Sequence, residues 1–196
     1  MPDDRTDQIA SEAARLIAAG DFDDIGQAIQ AAVATLKMHG AALPSKERVR
    51  KHVQAQTMAT VGEEGYRGMV RGMWETVEQL MSLLAEAFDS AQVLLVGEAV
   101  KGRIEGGLNP HLRIYTRASV GEIAEVLVDH GCEEPAFDTV NTSHGRLNRL
   151  RFVDEGWEIV LTRCLPEMMT KSGIDLITGK PVSVASLDEV RRLLEG

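Results

Sequence analysis

Residues 94–116 read LLVGEAVKGRIEGGLNPHLRIYT. An apolar run beginning at Gln92 leads into Gly97, Gly102 follows five positions later, and an alternating stretch opens at His111. A short continuous apolar run bounded by turn residues predicts a buried central strand. In HLRIYT the two-residue period places Leu112 and Ile114 on one face and His111, Arg113 and Tyr115 on the other. A glycine directly after a buried strand lets a ligand approach the backbone, and the turn that follows can aim N–H groups at phosphate oxygens. Two glycines at this spacing also make an ordinary tight turn, so both readings stay open. No Walker Lys-Ser/Thr pair follows and GxGxxG is absent, which sets aside a P-loop and a Rossmann site.

Downstream, SVGEIAEVLVDHG predicts an amphipathic helix capped by Ser119 and ended at Gly131. RLNRLRFV and WEIVLTRC predict two strands joined by the turn DEG. DLITGKPVSVAS reads as a short turn-rich excursion, and SLDEVRRLLEG as a terminal helix capped near Ser186. Upstream, Met69, Val70, Met73, Trp74, Val77, Leu80, Met81, Leu84 and Phe88 recur at helical spacing and predict a core-facing helix. GEEGYRG, residues 62–68, breaks the helical pattern with three glycines and predicts a hinge or boundary. Before it come three shorter helical patterns: one marked by Ile9, Ala13, Leu16 and Ile17 and ended at Gly20, one capped by Asp23 or Asp24 and closed at Gly40, and one opened by Ser45. The element order predicts a mixed-sheet α/β (α+β) domain over residues 67–196, preceded by a helical N-terminal segment over residues 1–66.

The 196 residues, 44% of them hydrophobic, suffice for a core, and the formal net charge of -9 argues against non-specific nucleic-acid binding and against anionic membranes. Cys132 and Cys164 have no neighbour at zinc or dithiol spacing and read as reduced core residues. The opening MPDDRTDQIA lacks the basic and apolar regions of a signal peptide and no segment has bilayer-crossing length, so a cytoplasmic location without membrane contact is expected. His39, His52, His130 and His144 are scattered, and neither HExxH nor GxSxG occurs.

VGEAVKG followed by NPHLRI resembles the register of nucleotidyltransferases of the DNA polymerase beta type, where hG[GS] and a further glycine precede a D-x-D strand. LNRLRFVDEG with WEIVLTR is similar to that family's third-carboxylate region. More narrowly, ARLIAAGDFDDIGQAIQAAVATL, LPSKERVRKHV and DLITGKPVSVASLDEVRRLL are similar to pieces of an uncharacterised bacterial family described at most as nucleotidyltransferase-like. The resemblance covers most of the chain from about Ala13 onward and implies a nucleotidyltransferase-like body behind a helical front, without a settled activity.

Carried over residue by residue, the helper position after Gly97 is Glu98, the first metal-binding aspartate falls on Asn109, and the second falls on His111. The third falls on Glu158 or, on the same strand face, Val160. A magnesium pair needs hard anionic oxygens at fixed separation, whereas Asn109 offers a neutral oxygen and His111 a nitrogen suited to softer metals. The resemblance therefore implies a degenerate, non-catalytic site with no cofactor. Mg2+ enters only if an active enzyme survives with an altered site around Asn109 and Glu158. The same substitutions make the pocket cationic: Lys101, Arg103, His111 and Arg113, extended by Arg149 and Arg151 and set against the Gly97, Glu98 and Gly102 turn, can hold a nucleotide or phosphate group directly. Paired with Glu98, Glu105, Asp154 or Glu155, these cations are instead ordinary solvated charges. A protein–protein interaction module with no small ligand is the third reading.

Overall fold

The computed structural model of the chain describes residues 4–22, 24–104, 109–143 and 145–196. The cap candidate Asp23, the charge candidate Glu105 and His144 lie outside them. Two compact units emerge: one holds the described residues of 4–69 together with Arg103 and Ile104, and the other holds Val70–Gly102 and Asn109–Gly196.

The first unit is helical. Helix α1, Asp4–Ala18, buries Ile9, Ala13 and Leu16 on one stripe, as its period requires. Its end is a Schellman motif: Gly20 takes φ 78, its N–H bonds Ile17 O at 3.0 Å, and Asp21 N–H bonds Leu16 O at 3.0 Å. Helix α2, Ile25–Thr35, is capped by Asp24, whose carboxylate accepts from Gln27 N–H at 2.9 Å. It closes before Gly40, because Lys37 takes the left-handed position at φ 55 and Met38 N–H reaches Val33 O at 3.0 Å. Helix α3 runs over Lys46–Ala87, opened by Ser45 and broken at Gly62, where φ 77 and ψ 168 leave helical space. Within the expected hinge only Gly62 departs from the helix, and Gly65 and Gly68 stay inside it. From Val70 onward α3 belongs to the second unit, where Met73, Val77, Leu80, Met81 and Leu84 are wholly buried.

The second unit is a mixed α+β fold. Its strands are β1 Gln92–Val96, β2 His111–Tyr115, β3 Ala136–Thr142, β4 Gly145–Asp154, β5 Trp157–Cys164 and β6 Val184–Ala185, in the sheet order β3-β4-β5-β2-β1-β6. Every neighbouring pair is antiparallel except β2–β5. Helix α4, Val120–His130, follows β2 with a full capping box at Ser119 and Glu122 and a left-handed stop at Gly131. Helix α5, Leu187–Glu195, starts from the matching box of Ser186 and Glu189. Between β4 and β5 the turn is Glu155–Gly156, with φ 47 and 81; positive values at both positions give the type I′ geometry that suits strand twist. No helix among the described residues is long and apolar enough to cross a membrane.

The register sorts the sheet into two faces. One carries the apolar rung Leu95–Leu112–Leu161–Leu150, none of them more than 1% exposed. The other is apolar toward β1 and polar toward β3. Its rungs are Leu94–Arg113–Thr162–Arg149–Asp138 and Val96–His111–Val160–Arg151–Ala136. The excursion after β5 lies over the apolar end of this face, with Leu176, Met168, Met169 and Val182 packed on Leu94, Val96, Tyr115 and Cys164. On this face of β2 Arg113 and Tyr115 are therefore buried, at 7% and 1% exposed, while His111 stays exposed, although a two-residue alternation alone leaves all three open.

Candidate functional site

The glycine turn has a specific mechanical basis. Gly97 sits at φ 92 and ψ -148, a region that side chains exclude. A single 3-10 turn, Glu98–Lys101, follows, and Gly102 closes it in the left-handed region at φ 68. A Cβ on Gly102 would stand 3.0 Å from Val70 Cγ1 and 3.4 Å from Trp74 Cζ2. The Trp74 indole donates to Ala99 O at 2.9 Å and so ties the turn to α3. The N–H groups of Gly97, Val100 and Gly102 bond Ser183 O, Gly97 O and Ala99 O. Lys101 pairs with Glu98 at 2.9 Å, and Arg103 belongs to the helical unit, where it pairs with Glu47 at 2.9 Å.

The remaining candidates gather on the polar rungs. His111 and Arg151 flank Val160 from opposite sides, on β2 and β4. Val160, not Glu158, is the residue of β5 in register with His111. Glu158, one alternation earlier on the same face, accepts from Asn109 Nδ2 at 2.8 Å and lies 3.6 Å from Arg151 Nη1. Arg149 bonds Asp138, which Arg151 also approaches at 3.6 Å. The Arg149 Nε–H is buried and has no hydrogen-bond partner, so part of this guanidinium is left unsatisfied. Arg113 is arranged differently: its Nη1 donates to Ser172 O at 3.0 Å and to Ile174 O at 2.9 Å.

Electrostatics follow from this crowding. Burial, together with the charges of Arg149, Arg151 and Arg113, holds the His111 pKa below its ordinary value. Because His111 keeps an exposed surface, the three guanidiniums are the firmer cause, and they favour the neutral imidazole. The Asp138 carboxyl is held below the usual range by the Thr139 N–H, at 2.6 Å, and by Arg149 and Arg151. Asp175 is raised by burial but lowered further by bonds from Thr178 and Ile177 and by the charge of Arg113, so it too lies below its ordinary value. Burial pushes the Tyr115 hydroxyl up, against the opposing pull of the neighbouring Arg113 guanidinium.

A neutral imidazole, two guanidiniums with partial carboxylate pairing, and an unpartnered buried N–H make a donor-rich surface floored by Val160. Such a surface can accept an anion's oxygens; it offers no base aligned on a nucleophile. Among the described residues no three His, Cys, Asp or Glu side chains cluster where they could hold a metal ion. Sequence reading missed Asp138, which sits on the unforeseen strand β3; the strand-favouring Phe137, Thr139, Val140 and Thr142 were the available signal. It also missed the carbonyls of Ser172 and Ile174, for which no side-chain pattern exists.

No protein-family model matches the chain, and no curated protein sequence matches it. Eighteen chains of solved structures are similar to it. One, from the structure of a GLD-2/RNP-8 complex, aligns at 14% identity with a TM-score of 0.34, covering 50% of this chain and 42% of that one.

Proposed function

We propose that the sheet unit is a metal-independent, non-catalytic binding module for a phosphoryl group, here the phosphates of a nucleotide, held by His111, Arg149 and Arg151. The observation that carries this reading is the buried, unpartnered Nε–H of Arg149, two residues along β4 from a half-exposed Arg151. Phosphate oxygens supply what a neutral acceptor cannot: ionised acceptors for several guanidinium donors at once. The sequence resemblance to nucleotidyltransferases supports a nucleotide as the carrier of that phosphate. At the positions of the metal-binding carboxylates stand Asn109 and His111, and Glu158 is engaged with Asn109 and Arg151.

Calorimetric titration with ATP in the presence of EDTA tests this. Binding is expected to persist without metal and to weaken about 10- to 100-fold in Arg151→Ala, the effect of one charge-assisted contact of about 1.5–3 kcal/mol. An unaltered affinity in that variant, or strict dependence on magnesium, overturns it.

One observation favours a second reading, protein contact through the sheet edge: β3 is an outer strand and its Phe137 is 62% exposed. Sedimentation of wild type against Phe137→Lys discriminates; a monomer in both removes support for contact between copies.

A further inference from the structure

A buried guanidinium is normally met by an anion. Arg113 is 7% exposed, and both acceptors of its Nη1 are neutral main-chain carbonyls, those of Ser172 and Ile174, while Asp175, the acidic group beside them that feels its charge, engages its carboxylate with the N–H groups of Ile177 and Thr178. These carbonyl oxygens stand where the oxygens of an ionised ligand would bind more strongly. They belong to residues 166–182, a segment bonded largely to itself. Ser172 N–H reaches Met169 O at 3.0 Å, Ile174 N–H reaches Lys171 O at 3.2 Å, Asp175 N–H reaches Lys180 O at 2.7 Å, and Val182 N–H reaches Gly173 O at 3.0 Å. Its ties to the rest of the unit are fewer: the two bonds from Arg113, the N–H and hydroxyl of Ser143 to Leu176 O at 3.3 and 3.5 Å, a surface ion pair of Glu167 with Arg117, and an apolar contact in which Leu176 is buried while Met168, Met169 and Val182 are only partly so. A segment cohesive in itself and held at a few points can lift as one body.

We infer that residues 166–182 form a displaceable strap that occupies Arg113 in place of a phosphoryl group, and that an oligophosphate bound at the polar rungs takes Arg113 from Ser172 and Ile174 and lifts the strap. This rests on the phosphate reading of His111, Arg149 and Arg151. It also narrows the ligand. Arg113 and Arg149 share a rung with Thr162 between them, so their Cα atoms are two strand spacings, about 10 Å, apart. One phosphate engages one end of that rung; a di- or triphosphate chain bridges it.

Hydrogen exchange of the full chain with sodium tripolyphosphate, and with inorganic phosphate as the short control, tests the idea. Tripolyphosphate is expected to accelerate exchange several-fold at the amides of residues 172–182, and orthophosphate to leave it unchanged. Bound tripolyphosphate with unchanged or slower exchange there overturns the strap while leaving the phosphate site standing. Leu176→Ser, which replaces none of the cations, provides a second measure: a loosened strap is expected to tighten tripolyphosphate binding about 3- to 10-fold, as the competent fraction rises. Unchanged or weaker affinity overturns the strap, and failure of both proteins to bind overturns the site and the strap together.

Discussion

The Trp74 indole N–H bonds the carbonyl of Ala99 at 2.9 Å and lays its ring against the position where Gly102 has no side chain. That contact makes Gly102 a packing requirement as well as a conformational one. Gly102→Ala is expected to cost about 2–4 kcal/mol, from the left-handed backbone and the collision with Val70 together. Gly97→Ala meets no atom within 4 Å, so only the backbone penalty, about 1–3 kcal/mol, applies. Urea unfolding of the two variants checks the order; a Gly97 variant less stable than the Gly102 variant contradicts it.

Arg113→Met should remove the donors that satisfy Ser172 and Ile174. Ser172 and Ile174 are partly exposed, so orphaning their carbonyls costs less than the roughly 1–3 kcal/mol of fully buried groups, and the loss is offset in part because a buried charge is removed as well. The denaturation midpoint is expected to fall and exchange in residues 172–182 to quicken; an unchanged midpoint with unchanged exchange would show that the guanidinium does not hold this segment.

His111 predicts a pH dependence with a definite sign. Its folded pKa is depressed, so below about pH 6.5, the ordinary value, the unfolded chain takes a proton that the folded chain refuses. Stability contributed by the neutral ring is present above that pH and lost as the pH falls. His111→Gln should therefore flatten the decline of melting temperature between pH 7.5 and 5.5, and equal slopes in both proteins exclude this role.

Both thiols should be silent in the native state. Burial pushes Cys132 up to about 12 and Cys164 up to about 11, leaving almost no thiolate at pH 8. Ellman's reagent is expected to titrate neither until denaturant is added; rapid modification of either residue in the folded protein refutes the assignment.

Much of the fold was legible because local chemistry agreed with it. The caps at Ser119 and Ser186, the stop at Gly131, the strands β1, β2, β4 and β5, and the turn before Trp157 all follow from residue type and spacing. Strand β3 escaped because AFDTVNT has a mostly exposed alternation with only Phe137 and Val140 as large apolar residues, too faint a stripe to separate from a loop. The helix α2 stop escaped because Lys37, not a glycine, takes the left-handed position. At the site, sequence named the cations but could not say what faces them. Whether Arg113 meets solvent or two carbonyls depends on a segment about sixty residues away, and main-chain acceptors leave no mark in composition.

The lone parallel pairing, β2 with β5, divides the sheet into two antiparallel ladders, β6–β1–β2 and β3–β4–β5. The second ladder closes by short turns, and β1–β2 needs only the glycine turn and its loop. The join between ladders must instead match His111 to Val160 across 49 positions of chain, and β6 must reach β1 across 90, from Leu95 to Ala185. Long-range pairing of this kind governs folding speed. Leu161→Ala is expected to slow refolding, and refolding kinetics measure it. The interval before the ladders meet is also when the leucine rung lies uncovered, so the rate of that search sets the protein's exposure to aggregation during synthesis.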